Sequence, residues 1–537
     1  MRFRLSGGLI GAVAVVLVLT GCGGDDSGEG EVDIGPAAMV PANAPLYLDV
    51  SLRPEGDARE GAEAAAGKIL GSDDPGATLI SLFEDEVSAG GSGFDWEEDV
   101  EPWLGEKVGF FPTSLAGESE VALVAETTDP EQALEFIRAD EGASGPEREY
   151  NGSSYQVDPE DGDALGVVDD FLISATPKGF KRVVDAAQED SLGDSDQFKD
   201  SIGGLSDDRL ATLYAVPREF FGAIPPEQID QAGRNLLLEA MGASADAPVL
   251  GELNASAEDL ELELSATGGT VDTEQSNLLN QVPTEAWLAL GLGDIGNTVQ
   301  SALDSVETAD VKGLSGEQLR AQLDEMTGLD LEQVAQALGG GAVFLQGSST
   351  LDLRGAMIIQ SSDEAVSAEL LDAIESLITA QAGTSGVRIT SLTPQTSSST
   401  GGTSGDTTTE SSEPTTQTGF QVESEDLPQP IQVIQQDNRI IAGYGAGIVG
   451  EIINSSGKTS GLTGTPGFTA AEEAIGSLGL DAYLTFQPVV ELAENLGLED
   501  DPDFQNAKRY LNSLEFLAVG SGNEGDRALL RLIVGLK

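Results

Sequence analysis

The chain contains no histidine and a single cysteine, Cys22, among its 537 residues. Without histidine there is no Ser-His-Asp or Cys-His nucleophile pair, no His-ligated zinc and no His general base; one cysteine excludes a disulfide framework and a CxxC site. Basic residues are scarce too: 26 Lys and Arg stand against 93 Asp and Glu, a formal net charge of -67. Such a polyanion would have to gather counterions at a phosphate backbone rather than release them, so nucleic acid is excluded as a partner. The nine lysines include none in a Ser-x-x-Lys pattern where a strand runs into a helix, which removes the other histidine-free serine nucleophile. Gly339-Gly340-Gly341 and Gly401-Gly402 lack the Lys and Ser/Thr of a phosphate loop. No catalytic residue, cofactor or metal is assigned on these grounds.

Apolar residues make up 39%, with 17 Phe, 7 Tyr and 3 Trp, enough for folded domains despite the charge. At about 100 to 200 residues per domain, two or more are expected.

The most informative stretch is the start. Arg2 and Arg4 precede an apolar run from Leu9 to Leu19, which ends in Leu19-Thr20-Gly21-Cys22 and gives way to Gly23, Gly24, Asp25 and Asp26. A basic start, a short apolar run and small residues at its end read as a secretion signal, and the run is well short of the ~20 residues of a membrane-spanning helix. Leu-Thr-Gly-Cys resembles the lipobox of bacterial lipoproteins over residues 1–22. That resemblance implies cleavage between Gly21 and Cys22, and thioether attachment of diacylglycerol to Cys22, with palmitate-type acyl chains. Two chains on one residue suffice for stable anchoring where one does not. An ordinary signal peptide with an incidental cysteine is the alternative.

We divide the chain into a signal peptide (1–21), a lipidated flexible tether (22–35), a first α+β repeat (36–275) and a second (276–537). The tether, poor in apolar side chains, has an expected reach of roughly 20 Å. Cleavage leaves 24 basic against 93 acidic residues, a mature charge of -69. Self-repulsion of that size is screened within a Debye length of about 8 Å at physiological ionic strength, so the thermal midpoint is expected to rise from low to molar NaCl.

The two repeats are read from paired segments in conserved order. Met39-Val40-Pro41 with PLYLDVSL matches Gln281-Val282-Pro283 with AWLALGLG. GFDWEEDVEPWLGEKVGFF (93–111) matches GLDLEQVAQALGGGAVFL (328–345), and VALVAETTDPEQALEFI (121–137) matches GAMIIQSSDEAVSAELL (355–371). DDFLISATPKGFKRVV (169–184) pairs with DNRIIAGYGAGIVGEI (437–452), LATLYAVPREFF (210–221) with LDAYLTFQPVVELA (480–493), and two hairpin-like segments (250–266 and 513–536) close the series. Prolines 130, 177, 217 and 488 stand where helices are predicted to start, where a missing N–H costs nothing. Alternating strands imply mainly antiparallel sheets covered by helices on one face, an α+β body; a doubly wound parallel sheet is the other arrangement such alternation allows. Residues 395–419, almost all Ser, Thr, Gly and acids, are expected to form a disordered Ser/Thr-rich insertion between two strands.

Two acidic clusters invite a calcium reading: Asp158-Pro159-Glu160-Asp161-Gly162-Asp163 and Asp95-Trp96-Glu97-Glu98-Asp99. Neither has EF-hand spacing, and acids at a first helical turn complement the helix dipole without a metal. Trp96, Trp103 and Trp287 suit sugar or lipid stacking, but Trp103 and Trp287 lie in matched apolar stretches that favour the core. Asn151, Asn254 and Asn454 fit the glycosylation acceptor pattern and carry little weight in a bacterial lipoprotein.

The segments MVPANAPLYLDVSLRPEG, LYAVP and LGEKVGFF resemble the bacterial family labelled domain of unknown function 3352, over most of residues 36–537. That resemblance implies a secreted or membrane-attached envelope protein and brings no activity, cofactor or site residue with it. The expected function is therefore a non-enzymatic binding or interaction module, lipid-anchored on the extracytoplasmic face of the cell membrane, with an envelope protein or lipid as partner. A carrier of a lipid or other apolar molecule is the alternative, and a carboxylate-based envelope hydrolase stands behind both.

Overall fold

The computed structural model describes residues 33–537 apart from 89–94, 116–119, 140–144, 160–161, 207, 230–244 (of which 231, 234 and 238 are described), 270–276, 301–328, 383–386, 393–417, 425–426 and 456–460. The chain forms two compact units, Met1–Val271 with Asn523–Lys537, and Asp272–Gly522.

Unit 1 contains β1 (Leu46–Ser51), β2 (Leu104–Ser114), β3 (Glu120–Thr127), β4 (Arg148–Tyr150), β5 (Ser153–Val157), β6 (Ala164–Val168), β7 (Phe171–Ala175), β8 (Ala211–Ala215), β9 (Val249–Ala255) and β10 (Asp259–Thr267). Hydrogen bonding orders them β10-β9-β8-β1-β2-β3-β7-β6-β5-β4, each pair antiparallel. Unit 2 contains β11 (Ala286–Leu292), β12 (Leu338–Gln346), β13 (Arg354–Ser361), β14 (Arg388–Leu392), β15 (Thr418–Glu423), β16 (Ile431–Gln436), β17 (Arg439–Tyr444), β18 (Gly479–Thr485) and β19 (Leu514–Glu524). Their order is β19-β18-β11-β12-β13-β17-β16-β15-β14, again antiparallel, and it repeats that of unit 1 strand for strand from β9 to β4. The last strand, β20 (Arg527–Leu536), pairs with β10 from Asp259↔Gly535 to Thr267↔Arg527, so residues 523–537, grouped by sequence with the second half, fold into unit 1. The parallel alternative is not realised: every described pairing above is antiparallel.

Local chemistry explains the turns. Asp169 and Asp437 sit at φ 50° and 53° in the two-residue hairpins β6–β7 and β16–β17, a conformation that short Asx side chains tolerate. Pro130 and Pro177 each open a helix (Pro130–Ala139 and Pro177–Gln188), and Thr176 accepts the Gly179 N–H as an N-cap. Pro217 opens Pro217–Ala223, whereas Pro488 lies within the first turn of Phe486–Asn495.

Helices cover both sheet faces rather than one. In unit 1, Tyr47, Phe111, Val124 and Ile173 pack with Phe180, Val183 and Val184 of Pro177–Gln188, and with Phe198. Their strand neighbours Val50, Val108, Ala125 and Leu172 point the other way, onto Ala133 and Ile137 of Pro130–Ala139 and onto Trp96 and Trp103. The near-continuous burial along β2 and β3 is the consequence, and the sequence signal for it is the scarcity of polar residues in VALVA and VGFF. Each buried Phe of this set contributes about 2–3 kcal/mol of transfer free energy.

The tether expected to run through residue 35 ends earlier. Ile34 packs against Gly193, and Gly35–Met39 forms a 3-10 turn whose Ala37 and Met39 join the core. The Ser/Thr-rich insertion also ends earlier than expected, because Thr418 and Gly419 already pair in β15; the rest of it, 395–417, lies outside the described residues. Among the described residues no helix is long and apolar enough to cross a membrane.

Candidate functional site

Unit 1 holds a cluster of charged and polar groups inside otherwise apolar strands. Tyr47 and Asp49 are two apart in β1 and so share a face. Asp49 lies opposite Gly109 of β2 and Thr212 of β8. Gly109 is needed there: a Cβ would come within 2.6 Å of Pro36 Cβ and 3.1 Å of Tyr47 Cε2, so the 3-10 turn and the tyrosine ring occupy the space a side chain would take. The Tyr47 ring is fully buried, edge-on to Phe198 at 5.9 Å, and Phe198 is edge-on to Tyr214 at 5.1 Å.

The Tyr47 hydroxyl is enclosed without a hydrogen-bond partner of full geometry. Burial, then the neighbouring Asp49 carboxylate, pushes its pKa well above the usual tyrosine value. Burial also raises Asp49, against the pull of Lys107, Arg209 and the Thr212 hydroxyl. Arg209 is held by Nε donating to Thr212 Oγ1 at 2.8 Å.

The second part of the cluster is built by a bulge. Register between β2 and β3 breaks between Leu104 and Val108, which frees the N–H groups of Glu106 and Lys107 from the ladder. Both donate to Glu126 Oε2, at 3.2 and 3.0 Å. Lys107 Nζ then reaches Asp33 Oδ2 at 2.5 Å, and Asp33 Oδ1 accepts the Gly35 N–H at 3.0 Å. Gly35, at φ 40°, turns the chain over this group; a Cβ there would sit 3.0 Å from Glu126 Oε1 and 3.2 Å from Lys107 Cδ. Burial first, and the Asp33 charge second, lift Glu126 to a pKa of about 7, against Lys107 and the two amides. Burial pushes Asp33 upward as well, but its Lys107 pair and the Gly35 amide outweigh that and leave it below its usual value.

The cluster thus combines a carboxyl whose pKa burial raises to about 7 with contacts that tie Asp33 and Gly35 to β2 and β3. Glu126 is engaged by backbone amides, and Pro36 and Tyr47 fill the space over Gly109, so these carboxylates face protein groups. A separate depression of about 320 Å³ in unit 1 is lined by Pro41, Asn43, Arg182, Asp185, Glu189 and Asp190 among others. Asp185 is already bound to Tyr150 Oη (3.1 Å) and Asn151 Nδ2 (3.0 Å), and Arg182 Nη1 to the Thr113 carbonyl (2.8 Å).

Of the residues singled out by sequence, Gly21 and Cys22 lie outside the described residues. The first acidic cluster is the turn between β5 and β6, where Asp158 N–H donates to the Asp163 carbonyl and Gly162 N–H to the Asp158 carbonyl; Glu160 and Asp161 lie outside the described residues. The second is a helix start: Asp95 accepts the Glu98 N–H and Asp99 the Asp95 N–H. Among the described residues no group of three or more Cys, Asp or Glu could hold a metal ion. Trp96, Trp103 and Trp287 are all core residues, with Trp103 Nε1 donating to the Asp99 carbonyl and Trp287 Nε1 to that of Gly347. Asn151 occupies a left-handed turn position at φ 47°, Asn254 lies in β9 and Asn454 in the helix Ile448–Ser455. Sequence reasoning missed the Tyr47–Asp49–Lys107–Glu126 cluster; its signal was a charge placed inside each of the apolar runs LYLDVSL, EKVGFF and VALVAET.

Comparison with curated protein sequences returns no match. Among solved structures, the chain is similar to two described as the structures of crystal forms I and IV of TP0453. Form I is 12% identical, covering 44% of this chain and 80% of that one with a TM-score of 0.25; form IV is 11% identical, covering 44% and 81% with a TM-score of 0.24. A family model described as protein of unknown function (DUF3352) matches residues 7–529, nearly the whole length, and the chain therefore belongs to the DUF3352 family.

Proposed function

We propose that this chain is a lipid-anchored protein of the extracytoplasmic face of the cell membrane, a non-enzymatic binding or interaction module whose body descends from a duplicated α+β unit. The observation that carries the reading is the position of the lone cysteine: Cys22 closes Leu-Thr-Gly-Cys, after a basic start and a short apolar run, in a chain with no other thiol. Its place relative to the fold supports the same reading. Only ten residues, Gly23 to Glu31 and Val32 in a run rich in Gly and acids, separate Cys22 from Asp33, whose Lys107 pair fastens the chain to unit 1. The matching strand orders of the two units support the duplication.

In this account lipid holds the protein at the membrane, the run 23–32 gives it roughly 20 Å of reach, and the Asp33–Gly35 clamp passes any pull on the anchor into β2 and β3. Replacing Cys22 by Ala tests it. Parent protein is expected to incorporate labelled palmitate, and the variant, which keeps its uncut apolar run, to incorporate none. Equal labelling of parent and variant contradicts the reading.

A further inference from the structure

Four of the eight large apolar side chains exposed among the described residues gather at one end of unit 2: Leu351 (82% exposed), Leu496 (57%), Leu498 (43%) and Leu427 (36%). They come from three loops that hydrogen bonds tie together. Gln429 donates through Nε2 to the Leu351 carbonyl at 2.6 Å and accepts the Ala446 N–H at 3.0 Å, which fixes the Leu427 loop against the β12–β13 turn. Asn495 Nδ2 donates to the Ser348 carbonyl at 2.8 Å, which brings the end of Phe486–Asn495, and so Leu496 and Leu498, to that turn. Ser349 and Asp352 close the turn itself, with Asp352 Oδ1 accepting the Ser349 N–H at 2.6 Å. Leucines held out on a fixed loop frame form a prebuilt contact surface.

The charges beside them select what covers it. Asp352 adjoins Leu351, and Glu499, Asp500, Asp501 and Asp503 follow Leu498, all on exposed positions. Of the nearby cations, Lys508 and Arg354 are paired with Glu494 and Glu451, and Arg509 lies over the Tyr510 ring, which leaves the acids of 499–503 in excess. An acidic border around an apolar centre repels anionic headgroups and a second copy of this chain, and attracts the opposite pattern. We propose that this end of unit 2 docks a cationic amphipathic segment of a partner protein, its apolar side on Leu351, Leu427, Leu496 and Leu498 and its basic flanks on the acids of 499–503. The inference rests on the interaction-module reading and names the partner chemistry.

The test is fluorescence anisotropy of a labelled helical peptide of Leu and Lys, with its leucines on one face, titrated with the full chain at physiological salt. Saturable binding is expected, and the double variant Leu351→Ser/Leu496→Ser, which leaves every charge in place, is expected to weaken it by about tenfold or more. A peptide with Glu for each Lys is expected not to bind. Equal affinity of parent and double variant would mean that net charge alone holds the peptide, and overturns the proposal. So does absence of binding by the parent, or stronger association with phosphatidylglycerol vesicles than with the peptide. Any of these retires the docking surface and leaves the anchored-module reading to the separate Cys22→Ala palmitate labelling.

Discussion

Units 1 and 2 share a strand order and part company in what they place on it. Tyr47 of β1 pairs with Tyr214 of β8; at the matching point of unit 2, Ala289 of β11 pairs with Tyr483 of β18. Two residues on, Asp49 faces Gly109, while Gly291 faces Ala342. Even the lead-in is shared: the Val40 carbonyl accepts the Leu192 N–H at 2.7 Å, and the Val282 carbonyl accepts the Leu462 N–H at 2.9 Å. In unit 1 that lead-in is clamped by Asp33, Lys107 and Glu126, whereas in unit 2 Arg439 holds Gln281 at 2.6 Å. The architecture therefore closes without a carboxylate at these matched points; unit 2 half-buries Asp481 of β18 instead, where its Oδ2 accepts the Ser521 hydroxyl at 2.5 Å and burial raises its pKa.

The sharpest way to break this comparison is to exchange the small residues. Gly109→Val drives methyl groups into Pro36 and Tyr47 and is expected to cost about 3 kcal/mol, where Ala342→Gly at the matching site costs about 1 kcal/mol. Denaturant unfolding followed separately for each unit reads the difference; equal costs would mean that the two lead-ins are packed alike.

Next in size is the protonation of Glu126. Its folded pKa of about 7 lies above the ordinary 4.5, so between these values the folded state binds more protons than the unfolded one. Stability from this group is complete below about pH 4.5 and is lost as pH rises through 7. Glu126→Gln cannot ionise and is expected to flatten that slope, gaining about 2 kcal/mol over the parent at pH 8 after allowance for solvent screening. Parallel pH profiles for parent and variant would contradict the buried-carboxylate account.

Lys107→Met leaves Asp33 and Glu126 without their cation; because Asp33 is largely exposed, the expected cost is about 1 kcal/mol. Its distinguishing sign is faster proteolysis near residue 33, with Lys107→Arg restoring protection. Smallest of all, Tyr47→Phe removes a buried hydroxyl whose contact with Asp49 falls short of full hydrogen-bond geometry, and is expected to shift stability by less than about 0.5 kcal/mol, or to raise it.

Much of this was legible in the sequence. The alternating run 250–266 marked the β9–β10 hairpin, and Pro130 and Pro177 marked helix starts, because strand alternation and cap chemistry are local. The return of β20 to β10 was not legible, since pairing over some 270 residues leaves no local trace. Coverage of both sheet faces was underestimated because alternation was weighed above the near-unbroken burial of β2. The cluster at Glu126 escaped for a related reason: Asp33 looked like one more tether acid, and only the bulge at Gly105–Lys107 turns two amides toward the β3 carboxylate.

The central claim is that the protein is attached through Cys22. The most direct test is mass spectrometry of the N-terminal peptide of protein purified gently from its own membranes. The account predicts a peptide that begins at Cys22 and carries the mass of a diacylglyceryl group. A peptide that retains Met1, or that begins elsewhere with Cys22 unmodified or absent, would contradict it.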